Sequence, residues 1–364
     1  MVESTVLFLI TSSTRRTIEV KTPCCRNAAC SKSASVIRYG YYKTKAGRRR
    51  RSRCTACGKT FCSTRGTAYH RLQHRRSTFD DVASLSVEGM SKSAIARVMG
   101  LAWNTVDRWL EKAAACCRRF NQVHTCDLDI RELQVDEVRA FAGRKDQATW
   151  IFTTIDVWSR FWPASLVGRR SYKNTRSVLR AVRDQMLRGR TVLVASDGFD
   201  YYPRVAREVF GPMCLLGQVL KARRNDRITT VERRQTVGTS EQFAEALATS
   251  EDSATLNTSF VERLNLTIRQ GSAYLTRRSL AHCRWQARLD DHIELLRCHY
   301  NFSRRHRSLK FGREIRTPAM QAGLMSTGLP FRDIFSSGFV VLSSTTQVAQ
   351  VFAFRTCERA RLAA

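Results

Sequence analysis

Three acids far apart in the chain, Asp136, Asp197 and Glu262, and two cysteine-rich stretches near its start are the residues best placed to do chemistry. Asp136 lies in ELQVDEVRAFAG, where Leu133, Val135, Val138 and Phe141 alternate with polar residues as in a half-buried strand. A carboxylate in such a place is neutralised, paired or bound to a metal, and Glu137 beside it competes for the same role. Asp197, in TVLVASDG, stands where a buried strand ends, although Asp-Gly is also a common turn pair and Asp200 is close by. Glu262, in NTSFVERLNLTIRQ, falls on a helical pattern with Asn265 and Arg269, both expected to contact DNA, on its face at i+3 and i+7. A salt bridge to Arg263 or Arg269 is the plain alternative for it. Acids gathered round two hard divalent ions, Mg²⁺ or Mn²⁺, would activate water or a 3′-hydroxyl and stabilise the leaving oxygen in phosphodiester displacement.

The cysteines point to a second metal. CCRNAAC and CTACGKTF supply two pairs about two dozen residues apart, a spacing that suits tetrahedral structural Zn²⁺. The expected ligands are Cys25, Cys30, Cys54 and Cys57; Cys24 could replace one of the first pair, and Cys62 is a further possible ligand. From Lys21 to Phe79 there are sixteen Lys or Arg and no Asp or Glu, so a module of this polarity has little core and needs a metal staple. Arg48, Arg49, Arg50 and Arg51 between the pairs would contact phosphates, adding affinity rather than sequence choice.

The elements that must hold these groups follow from periodicity. FDDVASLSVEGMSKSAIARVMGLAWNTVDRWLEKAA reads as three short helices punctuated by Gly89 and Gly100, with Ser91 capping the second and a recognition helix starting near Trp103. A helix-turn-helix placed in this way turns Asn104, Thr105 and Arg108 toward the major groove. An ordinary three-helix packing unit is the bland reading. After Leu133 come three strands, LQVDEVRAF, TWIFTTIDV and RFWPASLVG, a helix near Lys173 to Leu187, and the strand of TVLVASDG. That is the order of an RNase H-like α/β domain, in which the first and fourth strands lie side by side and carry Asp136 and Asp197 to one edge. Asp156 is expected to cap a hairpin. Between Arg269 and Arg316 twelve Arg or Lys face four acids with Tyr274, Trp285, Tyr300, Phe302 and Phe311 interleaved, which suits a helical region gripping DNA. His299 and His306 could assist phosphate binding, although a lone His is more often structural.

Composition agrees with a nucleic-acid partner. The 364 residues carry 62 Lys and Arg against 31 Asp and Glu, a formal charge of +31. No apolar run approaches the ~20 residues of a membrane span, so no membrane role and a soluble, intracellular protein are expected. The thirteen cysteines, an odd number, are read as reduced thiols.

QVDEVRAF, ASDGFDYY, KARRNDRITTVERRQTVGT, LNTSFVERLNLTIRQGSAYLTRRS and HYNFSRRHRSLKFGREIRTPAMQAGL resemble insertion-sequence transposases of the IS-one type, DDE enzymes with an RNase H-like core. The resemblance covers roughly residues 21 to 325. It implies Asp136, Asp197 and Glu262 as the three metal-binding acids, with Asn257 and Arg263 flanking the last. It also implies Mg²⁺-dependent cutting of transposon ends and joining of their 3′-hydroxyls to target DNA, by a homodimer or larger assembly in the cytoplasm of a prokaryote, associated with the nucleoid.

The expected organisation is an unassigned extension (1–20), a zinc ribbon (21–66), an all-α helix-turn-helix domain (77–116), an RNase H-like catalytic domain (130–325) and an unassigned tail (330–364). FVVLSSTTQVAQVFAFRTCERARLAA could be a strand hairpin or a translated extension. A DNA-binding regulator or inactive remnant of the element is the alternative to a working transposase, and a structure-selective nuclease on the same fold is a third.

Overall fold

The computed structural model describes residues 25, 27, 30, 36–44, 47–143, 148–224, 227–250, 255–276 and 281–337. The extension 1–20, Cys24 as a substitute ligand and the hairpin reading of the final stretch lie outside them. Three antiparallel strands come first: β1 (Val36–Thr44), β2 (Gly47–Cys54) and β3 (Thr60–Cys62), in that order across the sheet. Among the described residues their buried apolar cluster is Cys25, Cys30, Cys54 and Phe61, too small a core to hold a polar sheet by burial alone.

Three helices follow, α1 (Arg76–Val87), α2 (Lys92–Met99) and α3 (Trp103–His124). The Ser91 side chain accepts a hydrogen bond from the Ala94 N–H at the start of α2, and Gly100 ends it with a left-handed φ of 62°. The third helix starts at the expected place but runs for 22 residues, well past the boundary drawn at 116. Its extension has a cause in the sequence. Ala113, Ala114, Cys116, Cys117 and Phe120 continue the apolar stripe at helical spacing, and all are buried.

The second half is a mixed α/β unit. Its strands and helices are β4 (Glu132–Phe141), β5 (Ala148–Asp156), β6 (Ser165–Gly168), α4 (Tyr172–Arg183), β7 (Val192–Ser196), α5 (Tyr201–Phe210), β8 (Cys214–Arg224) and β9 (Arg227–Val237). They form one six-stranded sheet in the order β6-β5-β4-β7-β8-β9. β4 to β6 pair antiparallel, β7 lies parallel to both β4 and β8, and β9 closes the edge antiparallel. This mixed sheet fits an RNase H-like arrangement. The third strand is shorter than RFWPASLVG led one to expect. Pro163 has no N–H to give a ladder, and both backbone groups of Trp162 are taken by the Asn301 side-chain amide at 2.9 Å.

Five more α-helices follow, α6 (Ser240–Ala248), α7 (Ser259–Gln270), α8 (Gln286–Cys298), α9 (Pro318–Gln321) and α10 (Phe331–Ser336), with a short antiparallel ladder of Lys310–Phe311 and Glu314–Ile315 before α9. Residues 331–336, read as part of an unassigned tail, belong to the core. Phe335 meets Phe79 and Tyr69 edge-on at 5.3 and 6.3 Å, so the described end of the chain closes over α1.

The helical unit is bound firmly to the sheet unit. Along α3 and α8, Arg118 reaches Asp290 (3.0 Å) and Asp291 (3.2 Å), while Arg288 reaches Asp107 (3.2 Å) and Glu111 (3.0 Å). At the far end of α1, a Cβ on Gly89 (φ +87°) would stand 2.5 Å from the Gln270 carbonyl oxygen, and one on Gly271 would stand 2.9 Å from that of Val87. The ends of α1 and α7 therefore abut backbone to backbone. His292 bridges the joint, with Nε2 3.2 Å from the Gly271 carbonyl and Nδ1 3.4 Å from the Ser86 hydroxyl. A carbonyl only accepts, so Nε2 carries the proton and Ser86 donates to Nδ1.

Candidate active site

The cleft at the middle of the sheet is built outward from β4. On one face of this strand, Gln134 and Asp136 are two residues apart. The Gln134 side-chain oxygen accepts from the backbone N–H groups of Phe260 (2.9 Å) and Val261 (3.1 Å), satisfying free donors at the start of α7. The strand that carries Asp136 thus also fixes the helix that carries Glu262. Asp197 arrives from the end of β7, the parallel neighbour of β4. All three acids line one cleft of about 770 Å³, together with Asn265 and Arg269.

Each acid has defined partners. Asp136 accepts from the Glu137 N–H (2.8 Å) and from the Asn265 amide (2.7 Å). The Thr153 hydroxyl donates to the other end of that amide (2.9 Å), which turns its nitrogen toward Asp136. Asp197 accepts from the Phe199 N–H at 3.1 Å. Glu262 is exposed and is held by Lys221 of β8 and by the Thr258 hydroxyl (2.8 Å), not by Arg263 or Arg269. Burial, reinforced by the nearby Asp197 and Glu262 charges, pushes Asp136 up to about 6. Burial raises Asp197 as well.

Glu137 is part of this constellation. Carboxylate oxygens of Asp136, Glu137 and Asp197 all lie within 4.8 Å of one another. Arg170 joins two of them, 2.9 Å from Glu137 and 3.5 Å from Asp197, while its guanidinium lies 3.8 Å from the Phe199 ring centre. Burial is the main cause that lifts Glu137 to about 7. Clustered, desolvated carboxylates that raise one another's pKa are the donor set a hard divalent cation satisfies, so the residues present fit Mg²⁺ or Mn²⁺.

The four expected thiols also meet. Cys25, Cys30, Cys54 and Cys57 place their sulfurs within 4.8 Å of one another, with Cys25 to Cys57 at 3.5 Å and Cys30 to Cys54 at 3.7 Å. Tetrahedral zinc with Zn–S bonds of about 2.3 Å needs sulfurs ~3.8 Å apart, so this set could hold it. Cys62 stands outside the cluster, against Thr64 (3.3 Å) and His70 (3.7 Å).

Asn265, expected on DNA, is instead buried, its amide taken up by Asp136 and Thr153, and the remaining expected site residues divide by exposure. Arg48, Arg50 and Arg51 are exposed on β2 and Arg49 is half-buried; Asn104 and Arg108 are exposed on the first turns of α3, with Thr105 half-buried between them. Asn257 accepts from the Ser259 N–H (3.0 Å) at the head of α7, and Arg263 is exposed. Asp156 accepts from the Ser159 N–H (3.0 Å) and holds the turn after β5, as expected of a hairpin cap. Phosphate roles for His299 and His306 find no support, because burial pushes both down to about 4 and keeps them neutral. In the basic stretch beyond α7, Tyr300 and Phe302 are buried, Arg297 is bound to Glu294 (2.8 Å), and Trp285 and Phe311 remain exposed.

Sequence reading missed Gln134, Glu137 as a member of the cluster, Arg170, Thr258 and Lys221. Two of these had a local signal: Gln134, an uncharged polar residue two positions from Asp136 on the same strand face, and Glu137, which stands beside Asp136 as its rival for the role rather than its companion.

No protein-family model matches the chain, and no curated protein matches it. Among solved structures it is similar to a cryo-EM structure of a piggyBac transposase synaptic complex with hairpin DNA, at 12% identity, over 73% of this chain and 75% of that one, with a TM-score of 0.32. At so low a score the likeness decides neither fold nor activity. No helix among the described residues is long and apolar enough to cross a membrane.

Proposed function

We propose that the chain is a DNA transposase of the DDE kind, cutting the ends of its element and joining the freed 3′-hydroxyls to target DNA. The observation that carries this reading is the meeting of Asp136 and Asp197 from adjacent parallel strands, with Glu262 across the same cleft, on a molecule of charge +31. Two divalent ions, when bound, would supply an activated hydroxyl and a stabilised leaving oxygen. Asp136 and Asp197, with Glu262 opposite, would hold them. Asn265 and Thr153 fix the Asp136 carboxylate, and Arg170 fixes Asp197. Arg269, on the cleft wall, is placed to meet a phosphate.

The cysteine cluster would hold a structural zinc, and the sheet and helices before residue 125 would bind the DNA ends. Bringing two ends together calls for a dimer or larger assembly. The test is cleavage and strand joining on labelled duplexes made from the DNA flanking the reading frame, with Mg²⁺ or Mn²⁺ and with EDTA as control. Metal-dependent nicking followed by joining is expected. Tight binding of the same duplexes without any nicking would replace this reading by that of a DNA-binding regulator.

A further inference from the structure

The hairpin of β1 and β2 has two unlike faces. Its register sets Tyr41 opposite Arg50 and Lys43 opposite Arg48, so these four side chains share one face. Tyr42 and Arg49 lie opposite each other on the second face, where Arg51 stands opposite Cys62 of β3. That second face is partly covered: Tyr42 and Arg49 are half-buried, while Arg51 is exposed on it. Tyr42 lies beside Cys62, and Arg49 lies beside Arg76 at the head of α1. The first face looks out, with Tyr41 52% exposed and Lys43, Arg48 and Arg50 exposed around it.

The outward ring already has occupants. The guanidinium carbons of Arg48 and Arg50 lie 4.3 and 5.9 Å from its centre. Arg48 therefore covers the surface on which an unpaired base would stack, and the ring serves instead to hold two planar donor forks in place. A two-stranded ribbon has the width of the major groove, and an arginine fork matches the O6 and N7 acceptors of guanine. With no Asp or Glu between Lys21 and Phe79, nothing on this module repels the duplex.

We propose that the outer face of the β1–β2 hairpin, Tyr41, Lys43, Arg48 and Arg50, enters the major groove of duplex DNA and reads base edges. The hairpin then contributes sequence choice, where the sequence alone implied only phosphate attraction. This rests on the DNA-binding part of the function proposed above.

The experiment uses the full chain and a library of randomised duplexes, from which bound sequences are selected and read. Arg48→Lys/Arg50→Lys keeps both charges and removes both forks, and zinc content per chain reports that the module still folds. The expected result is a motif containing guanines that the double variant no longer selects, with affinity for the wild-type motif down by about 5- to 150-fold per lost contact. Affinity for unselected duplex stays within about twofold, since the charge is unchanged. Arg49→Lys, on the partly covered face, leaves the motif intact. An unchanged motif in the Arg48/Arg50 variant overturns the proposal while leaving DNA binding standing. Preference of the wild type for single-stranded over duplex DNA also overturns it. Failure of the wild type to bind any DNA overturns it together with the reading on which it rests.

Discussion

Asp136→Asn and Asp197→Asn each remove one charge from the cleft with little change of shape, and so test the acids without emptying space. We expect strand cleavage to fall by at least about 10²-fold in each, and in Glu262→Gln, because a metal centre supplies several kcal/mol of transition-state stabilisation. Filter binding to duplex DNA should be unchanged, and retained cleavage in any variant would remove that residue from the metal site. Lys221→Met makes a different point. Lys221 competes with any cation for Glu262, so the variant should bind Mn²⁺ more tightly, by no more than about fivefold, since a half-exposed ion pair is worth ~1 kcal/mol at most. A Mn²⁺ titration followed by electron paramagnetic resonance would show weaker binding if the lysine instead supports the site. Asp136 and Asp197 could be picked out of the sequence because a carboxylate at a strand centre, or just beyond a buried strand, is out of place locally, whereas Glu262, on an open helix face, has no such local mark. Nor do Arg170 and Lys221. Their partners lie 33 and 41 residues away, and in a chain with 62 Lys and Arg nothing local sets them apart.

At the scale of elements, the joint between α1 and α7 depends on two glycines. Gly89→Ala puts a side chain at a left-handed φ and 2.5 Å from the Gln270 carbonyl, so we expect a loss of stability of about 1–3 kcal/mol or more, read as a lower urea midpoint. Gly100→Ala has the same strain without the clash and should cost less; equal losses would mean that the backbone approach is unimportant. Gly89 stood out in the sequence only as punctuation between helices. Its contact with α7 is a matter of tertiary packing that no local pattern reports. The strands β4, β5 and β7 and the cap at Ser91 were legible because alternation, buried apolar runs and a Ser before a helical stripe are local signals. β6 was overcalled because the strand-like residues Phe161 and Trp162 find their hydrogen bonds in Asn301, a residue far along the chain. The length of α3 is legible too, since its buried apolar stripe runs on to Phe120, past the end expected of a recognition helix.

For the molecule as a whole, acid should loosen the joint. His292 is buried and pushed down to about 4 from an ordinary 6.5. Between those pH values the unfolded chain takes up a proton that the folded chain refuses, so stability present above pH 6.5 is lost as pH falls toward 4. Asp156, which burial raises to about 6, works in the opposite direction, so the comparison must be with His292→Gln. The stability advantage of the wild type over that variant should shrink by up to roughly 3 kcal/mol between pH 7 and pH 4 in chemical denaturation; a constant difference would mean that His292 titrates normally. The same joint has a geometric consequence. With α1 set backbone to backbone against the helix that carries Glu262, the helical unit and the cleft form a ruler of fixed length. In the proposed complex, one base pair inserted between the recognised sequence and the cut would turn the scissile phosphate away by about 35° around the duplex. Five inserted pairs would put it on the far side.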